Sequence, residues 1–96
     1  MYVVVARFVA QEGSGDAVSA YLAEMTPFAK AEPGCQAYII NRSVDDPHSL
    51  LLYEQYDDPA AFDAHRENPE FQRIIIDQVV PLLVDRSREI YDLVAQ

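Results

Sequence analysis

Ninety-six residues, 50% apolar, 24% charged and carrying three glycines, describe one domain, residues 1–96, with no room for a second core. Sixteen acidic groups against seven basic ones leave a net charge of -9, so the average surface repels phosphate backbones and anionic lipid, and neither nucleic acid nor a membrane is an expected partner. Aromatic and branched side chains are too plentiful for that charge to signal disorder.

The opening stretch Met1–Ala10 is apolar but lacks a basic lead-in and a small-residue cleavage site, and Arg7 and then Gln11-Glu12-Gly13 interrupt it. This is not the pattern of a secretory leader. No window reaches the ~20 apolar residues of a spanning helix. The single cysteine, Cys35, has no partner for a disulfide or a zinc-type spacing, and a cytoplasmic location is expected.

Residues 2 to 10 (YVVVARFVA) read as a strand that is mostly apolar on both faces, so both faces expect cover. From Ser14, an N-cap candidate, Val18, Tyr21, Leu22, Met25, Phe28 and Ala29 recur at helical spacing, and the helix stops at Glu32-Pro33-Gly34. Pro27 falls inside that pattern and is expected to kink the last turn or end the regular helix early. Cys35 to Ser43 and Ser49 to Tyr56 read as two strands of a hairpin joined by the Asp45-Asp46-Pro47-His48 turn. Asp58-Pro59 opens a short helix through Ala61, Phe62 and His65, and Asn68-Pro69 repeats the signal ahead of Phe71, Ile74, Ile75 and Val79. Beyond Pro81, Arg86 to Val94 alternates weakly as a closing strand.

The order β-α-β-β-α-β predicts an α+β, ferredoxin-like fold with the helices on one face of an antiparallel sheet. The other face carries Val3, Val5 and Val9 with one parity set of the hairpin, a patch larger than a monomer usually exposes, which predicts a homodimer packed sheet against sheet.

Any small-molecule site then lies between the sheet and its own helices. On the third strand Leu50, Leu52, Glu54 and Tyr56 share a face, and Glu54 is the odd member, a carboxylate that is costly to bury unless something answers it. His65, about one helical turn after Phe62, is the candidate partner. A carboxylate beside an imidazole fixes its tautomer and favours its protonated form, which suits a general base. The bland alternatives are a helix-end histidine and a rim carboxylate paired with an arginine. Tyr38, Tyr53 and Tyr56 read as core or interface rings with a wet hydroxyl, Cys35 as a small buried hydrophobe, His48 as solvated, and Asp57-Asp58 as capping chemistry. No phosphate loop, paired-cysteine metal site, nucleophile elbow or basic-aromatic RNA signature occurs, and no metal is expected.

The segment Tyr53-Glu54-Gln55-Tyr56-Asp57-Asp58, followed by Ala61-Phe62, His65 and Asn68-Pro69-Glu70-Phe71, resembles the signature of the antibiotic biosynthesis monooxygenase family, and Glu32-Pro33-Gly34-Cys35 is similar to that family's turn into the second strand. The resemblance implies a dimeric α+β barrel with a pocket in each subunit, and members that include cofactor-free oxygenases of quinols and anthrones, haem-degrading enzymes and an isomerase of a small phosphorylated compound. It implies His65 as the base, Glu54 as its orienter or a polar contact, and Tyr56, Leu52 and Phe62 as substrate-binding residues, with no cofactor. Ala6, His65 and Ile75 stand where the haem-degrading branch has its functional residues, and Leu52 and Tyr56 where the anthrone oxygenases have asparagine and tryptophan. The expectation is therefore a monooxygenase using O₂ on a small phenolic or quinol compound. The alternatives are a non-catalytic, ligand-binding or stress-associated dimer, and an isomerase of the same family.

Overall fold

Four valines together with Tyr2 and Phe8 place strand β1 at Tyr2–Ala10, as their propensity predicts. In the computed structural model, which describes Met1–Gln96, Gly13 takes a φ of 84° to turn the chain into helix α1 (Gly15–Lys30). Strands β2 (Cys35–Arg42) and β3 (Ser49–Tyr56) form the hairpin. Helix α2 (Pro59–Glu67) follows, and α3 (Pro69–Phe71) continues without a break as π-helical turns over Gln72–Val79 and a 3-10 turn over Val80–Leu82. Strand β4 (Leu83–Asp92) closes the sheet. The strand order is β2-β3-β1-β4 with every neighbouring pair antiparallel, the expected ferredoxin-like arrangement. No helix is long and apolar enough to cross a membrane.

One side of the sheet is covered. Ala6, Phe8, Leu50 and Leu52 meet Val18, Leu22, Met25 and Ala29 of α1 and Ile74, Ile75 and Val79 of the π-helical segment in the main core. Val4, Tyr56 and Phe62 make a smaller cluster beneath α2. Burying each large apolar side chain is worth about 1.5–3 kcal/mol, so these two clusters supply the main drive for docking the helices. The other side of the sheet is open: Val5, Val9, Leu51 and Tyr53 are only partly buried, and Ile39 and Tyr91 are exposed.

Several details differ from the sequence reading. Helix α1 runs through Pro27 to Lys30, because Pro27 lies on the exposed side and the helix resumes with the Ala31 N–H donating to the Pro27 carbonyl at 3.2 Å. Phe28 lies outside the buried stripe, at the surface beneath the Arg73 guanidinium. The second strand ends at Arg42, and the closing strand begins at Leu83, because the 3-10 turn at Pro81 delivers the chain directly into pairing with Ala10. The π-helical winding was not anticipated.

β4 pairs with β1 along its length, and on the helix side of β4 Arg86, Arg88 and Ile90 remain exposed. The half of the sheet nearest β4 and the underside of α2 and α3 therefore enclose a hollow.

Candidate functional site

The two-residue period of β3 turns Leu50, Leu52, Glu54 and Tyr56 toward the helices, and all four are buried. Tyr56, next on the same face, donates its hydroxyl to Glu54 Oε1 at 2.5 Å. Burial raises the Glu54 carboxyl above the ordinary carboxylate range, against the opposing pull of the Tyr56 hydrogen bond and the His65 and Arg88 charges. Burial and the adjacent Glu54 charge push the Tyr56 phenol far up, so it stays a neutral donor. The expectation of a wet Tyr56 hydroxyl on the pocket wall is thus corrected: the side chain is fully enclosed behind Glu54, its hydroxyl is taken, and it does not line the hollow.

Helix α2 starts where Asp58 accepts the Ala61 N–H at 2.8 Å and Pro59 fills a position that has no donor to lose. This phase turns Phe62 and His65, three residues apart, to the sheet. His65 is 2% exposed. Its Nδ1 lies 2.9 and 3.0 Å from the two carboxylate oxygens of Glu32, and its Nε2 lies 3.7 Å from Glu54 Oε1, an ion-pair separation without a hydrogen bond. A carboxylate only accepts, so Nδ1 carries a hydrogen, and Nε2 is the ring nitrogen on the Glu54 side. The residue hydrogen-bonded to the ring is therefore Glu32, and Glu54 flanks the opposite nitrogen, so of the two expected roles of Glu54, orienter or polar contact, the geometry gives it the second.

Glu32 reaches across because the chain after α1 turns tightly against α2. A Cβ on Gly34 would stand 2.5 Å from the Ala61 Cβ, so only glycine lets the turn come this close. Asn68 serves twice. Its Oδ1 accepts the Glu70 N–H at 2.9 Å to start α3, and its Nδ2 donates to Glu32 Oε2 at 2.8 Å. Aromatic rings wall the imidazole: Phe71 meets it edge-on at 5.0 Å, with Tyr56 at 5.4 Å and Tyr38 at 5.6 Å. These rings keep water from the Glu32–His65 pair and offer π-faces to an imidazolium when one forms.

The hollow has a volume of about 400 Å³, the size of a site for one small organic molecule. Glu54 and His65 lie on its lining, Leu52 and Phe62 form walls, and Arg66, Arg86 and Arg88 line it as well. Phe71, Ile75 and Ile76 all face it, a spacing the wider π-helical turn brings onto one side. Arg42 and Arg73 lie elsewhere, paired with Asp16 at 2.9 Å and Glu70 at 2.6 Å. Cys35 is half-buried, and burial first and the Glu32 charge second push its thiol up to about 11. His48 sits in the hairpin turn, its Nδ1 3.4 Å from Asp46.

The sequence reading thus anticipated Glu54, His65, Leu52 and Phe62 at the hollow and missed Glu32 and Asn68, whose contacts span 33 and 36 residues. It also passed over Arg86 and Arg88, which share a strand parity. Chemically, the hollow joins apolar walls to one imidazole held in a defined tautomer, which equips it to take a proton from a bound acid.

The family model for antibiotic biosynthesis monooxygenases matches residues 1–75. The chain belongs to this family. Among curated proteins it is 35% identical over 68 residues to Rv0793 of Mycobacterium tuberculosis, assigned by name to the monooxygenases, the match spanning 71% of this chain and 66% of that one, just under two thirds. The crystal structure of SO0527 from Shewanella oneidensis is 36% identical, with a TM-score of 0.87 over 94% of this chain and 87% of the other. The structure of Rv0793 superposes with a TM-score of 0.89 at 29% identity, over 99% of this chain and 96% of that one. An antibiotic biosynthesis monooxygenase structure from Nitrosomonas europaea gives 0.94 at 25% identity, over 99% of this chain and 100% of the other. Element order and family membership agree with the signature from Tyr53 to Phe71.

Proposed function

We propose that this antibiotic biosynthesis monooxygenase family member is a cofactor-independent monooxygenase acting on a small phenolic or quinol compound, with His65 as the base. The observation that carries the reading is the His65 imidazole, buried at the hollow with Nδ1 tied to Glu32 and Nε2 turned inward. His65 takes the phenolic proton, leaving an electron-rich anion, and the imidazolium formed lies between the Glu32 and Glu54 carboxylates. The substrate anion passes one electron to O₂, and the radical pair closes a carbon–oxygen bond to give a ring hydroperoxide. Breaking its O–O bond releases water and leaves a new carbonyl. For a quinol the balance is one quinol and one O₂ to one hydroxyquinone and one water, every electron coming from the substrate. The protein supplies proton transfer, a dry pocket and orientation.

In this reading the working unit is a homodimer joined through the open sheet faces, supported by the partly buried Val5, Val9, Leu51 and Tyr53 and the exposed Ile39 there. The test is turnover of a quinol panel under isotopically labelled O₂ by enzyme dialysed against a strong chelator. One labelled atom in the organic product and one in water supports the reading. Saturable binding of the panel with no oxygen uptake makes the protein a binder instead.

A further inference from the structure

The chain is strongly acidic, with seven basic residues in all, yet three of them, Arg66, Arg86 and Arg88, line one hollow. The Arg66 and Arg88 guanidinium carbons lie 4.9 and 5.2 Å from the centre of the same Phe62 ring. Of the arginines outside the hollow, Arg42 and Arg73 pair with carboxylates and Arg7 stands exposed on the open sheet face without an ion pair. Arg86 and Arg88 have no ion pair and no side-chain hydrogen bond, and Arg66 spends Nη2 on Asp63 at 3.1 Å while its Nε is buried with no acceptor. A buried donor without an acceptor is destabilising, and an acceptor oxygen on a bound oxyanion would relieve it. Register places Arg88 beside Ala6 and Arg86 beside Phe8, on the helix side of the sheet edge, whereas Glu54 lies two strands inward. The hollow is therefore polarised, with cations along its β4 edge and the buried Glu54 carboxyl at its inner end.

We propose that the substrate carries an oxyanion, a carboxylate or a phosphate, held by Arg66, Arg86 and Arg88, with its neutral phenolic end directed inward to His65. The inner Glu54 disfavours an anion, so the charged group stays at the arginines and the polarity of the hollow sets the direction of binding. Arg86 and Arg88 both come from the closing strand β4, outside the residues 1–75 that the family model matches. The inference deepens the proposed function by naming the substrate class and rests on it for the orientation of the phenol.

The test is calorimetric titration with two matched probes, 4-hydroxybenzoate and its neutral amide, together with phenyl phosphate. At low salt, 4-hydroxybenzoate or phenyl phosphate is expected to bind roughly tenfold or more tighter than the amide, a preference that shrinks as salt rises. Whichever of the two anions binds tighter names the oxyanion. R86Q/R88Q should abolish the preference, and R73Q, which removes one positive charge outside the hollow, should leave it intact. Equal affinity for the acid and the amide, no saturable anion binding at millimolar concentration, or equal losses in R86Q/R88Q and R73Q would overturn the proposal. Oxygen uptake separates the two readings: an anion preference without turnover defeats the oxygenase alone, and turnover of neutral quinols without an anion preference defeats the oxyanion site alone.

Discussion

The Nδ1 of His65 lies 2.9 Å from a Glu32 carboxylate oxygen, across a contact that joins the turn after α1 to the last turn of α2. The pair decides which imidazole nitrogen is left to accept a proton, and Asn68 pins the far carboxylate oxygen so that Glu32 cannot swing away. Replacing Glu32 with glutamine puts an amide nitrogen against either the Nδ1 hydrogen or the Asn68 donor. Glu32→Gln should lower kcat by roughly tenfold or more with little change in KM, and nitrogen NMR should show a loss of the single Nδ1-protonated tautomer. Wild-type kinetics with an unchanged tautomer would remove Glu32 from its positioning role.

Glu54 makes the fold pH-sensitive in a stated direction. Burial raises its carboxyl above the ordinary 4.5, so the folded chain holds that proton more tightly than the unfolded chain does. The stability this lends is complete below about 4.5 and is lost as pH rises through the higher folded value. Glu54→Gln keeps an acceptor for Tyr56 and never ionises. Urea unfolding at about pH 4 and about pH 8 should therefore show the wild type losing ground to the variant at the higher pH. A wild type that gains on the variant as pH rises contradicts the assigned environment.

Gly34 makes possible the close approach that brings Glu32 to His65. Gly34→Ala sets a methyl group 2.5 Å from the Ala61 Cβ and should cost about 1–3 kcal/mol, seen as a melting point lower by several degrees. Adding Ala61→Gly should return much of that loss. A neutral Gly34→Ala would mean that the turn and α2 have slack between them.

Local chemistry carried much of this architecture. β1 occupies the stretch its valines and aromatic residues predict, β3 the apolar stretch after the Asp45–His48 turn, and Asp58-Pro59 and Asn68-Pro69 start helices through the caps those pairs imply. Strand parity alone put Leu52 and Glu54 on the helix side. Propensity misjudged Pro27, which lies on the solvent side of α1, and it held no sign of the π-helical turns, along which Ile74, Ile75 and Val79 are buried in the core. The Glu32 contact was illegible for another reason: a helix-ending glutamate before Pro-Gly looks like turn chemistry until the fold lays it against a residue 33 positions away. Arg86 and Arg88 became meaningful only when the β1 register fixed which side of the edge strand they occupy.

The central claim is that His65 removes the substrate proton that starts oxygenation. The direct measurement is oxygen-electrode turnover of a quinol panel by wild type and by His65→Ala, with circular dichroism and sedimentation confirming that fold and assembly match. The account predicts a loss of roughly a hundredfold or more in kcat, the usual worth of a general base. Equal rates in the two proteins would contradict it.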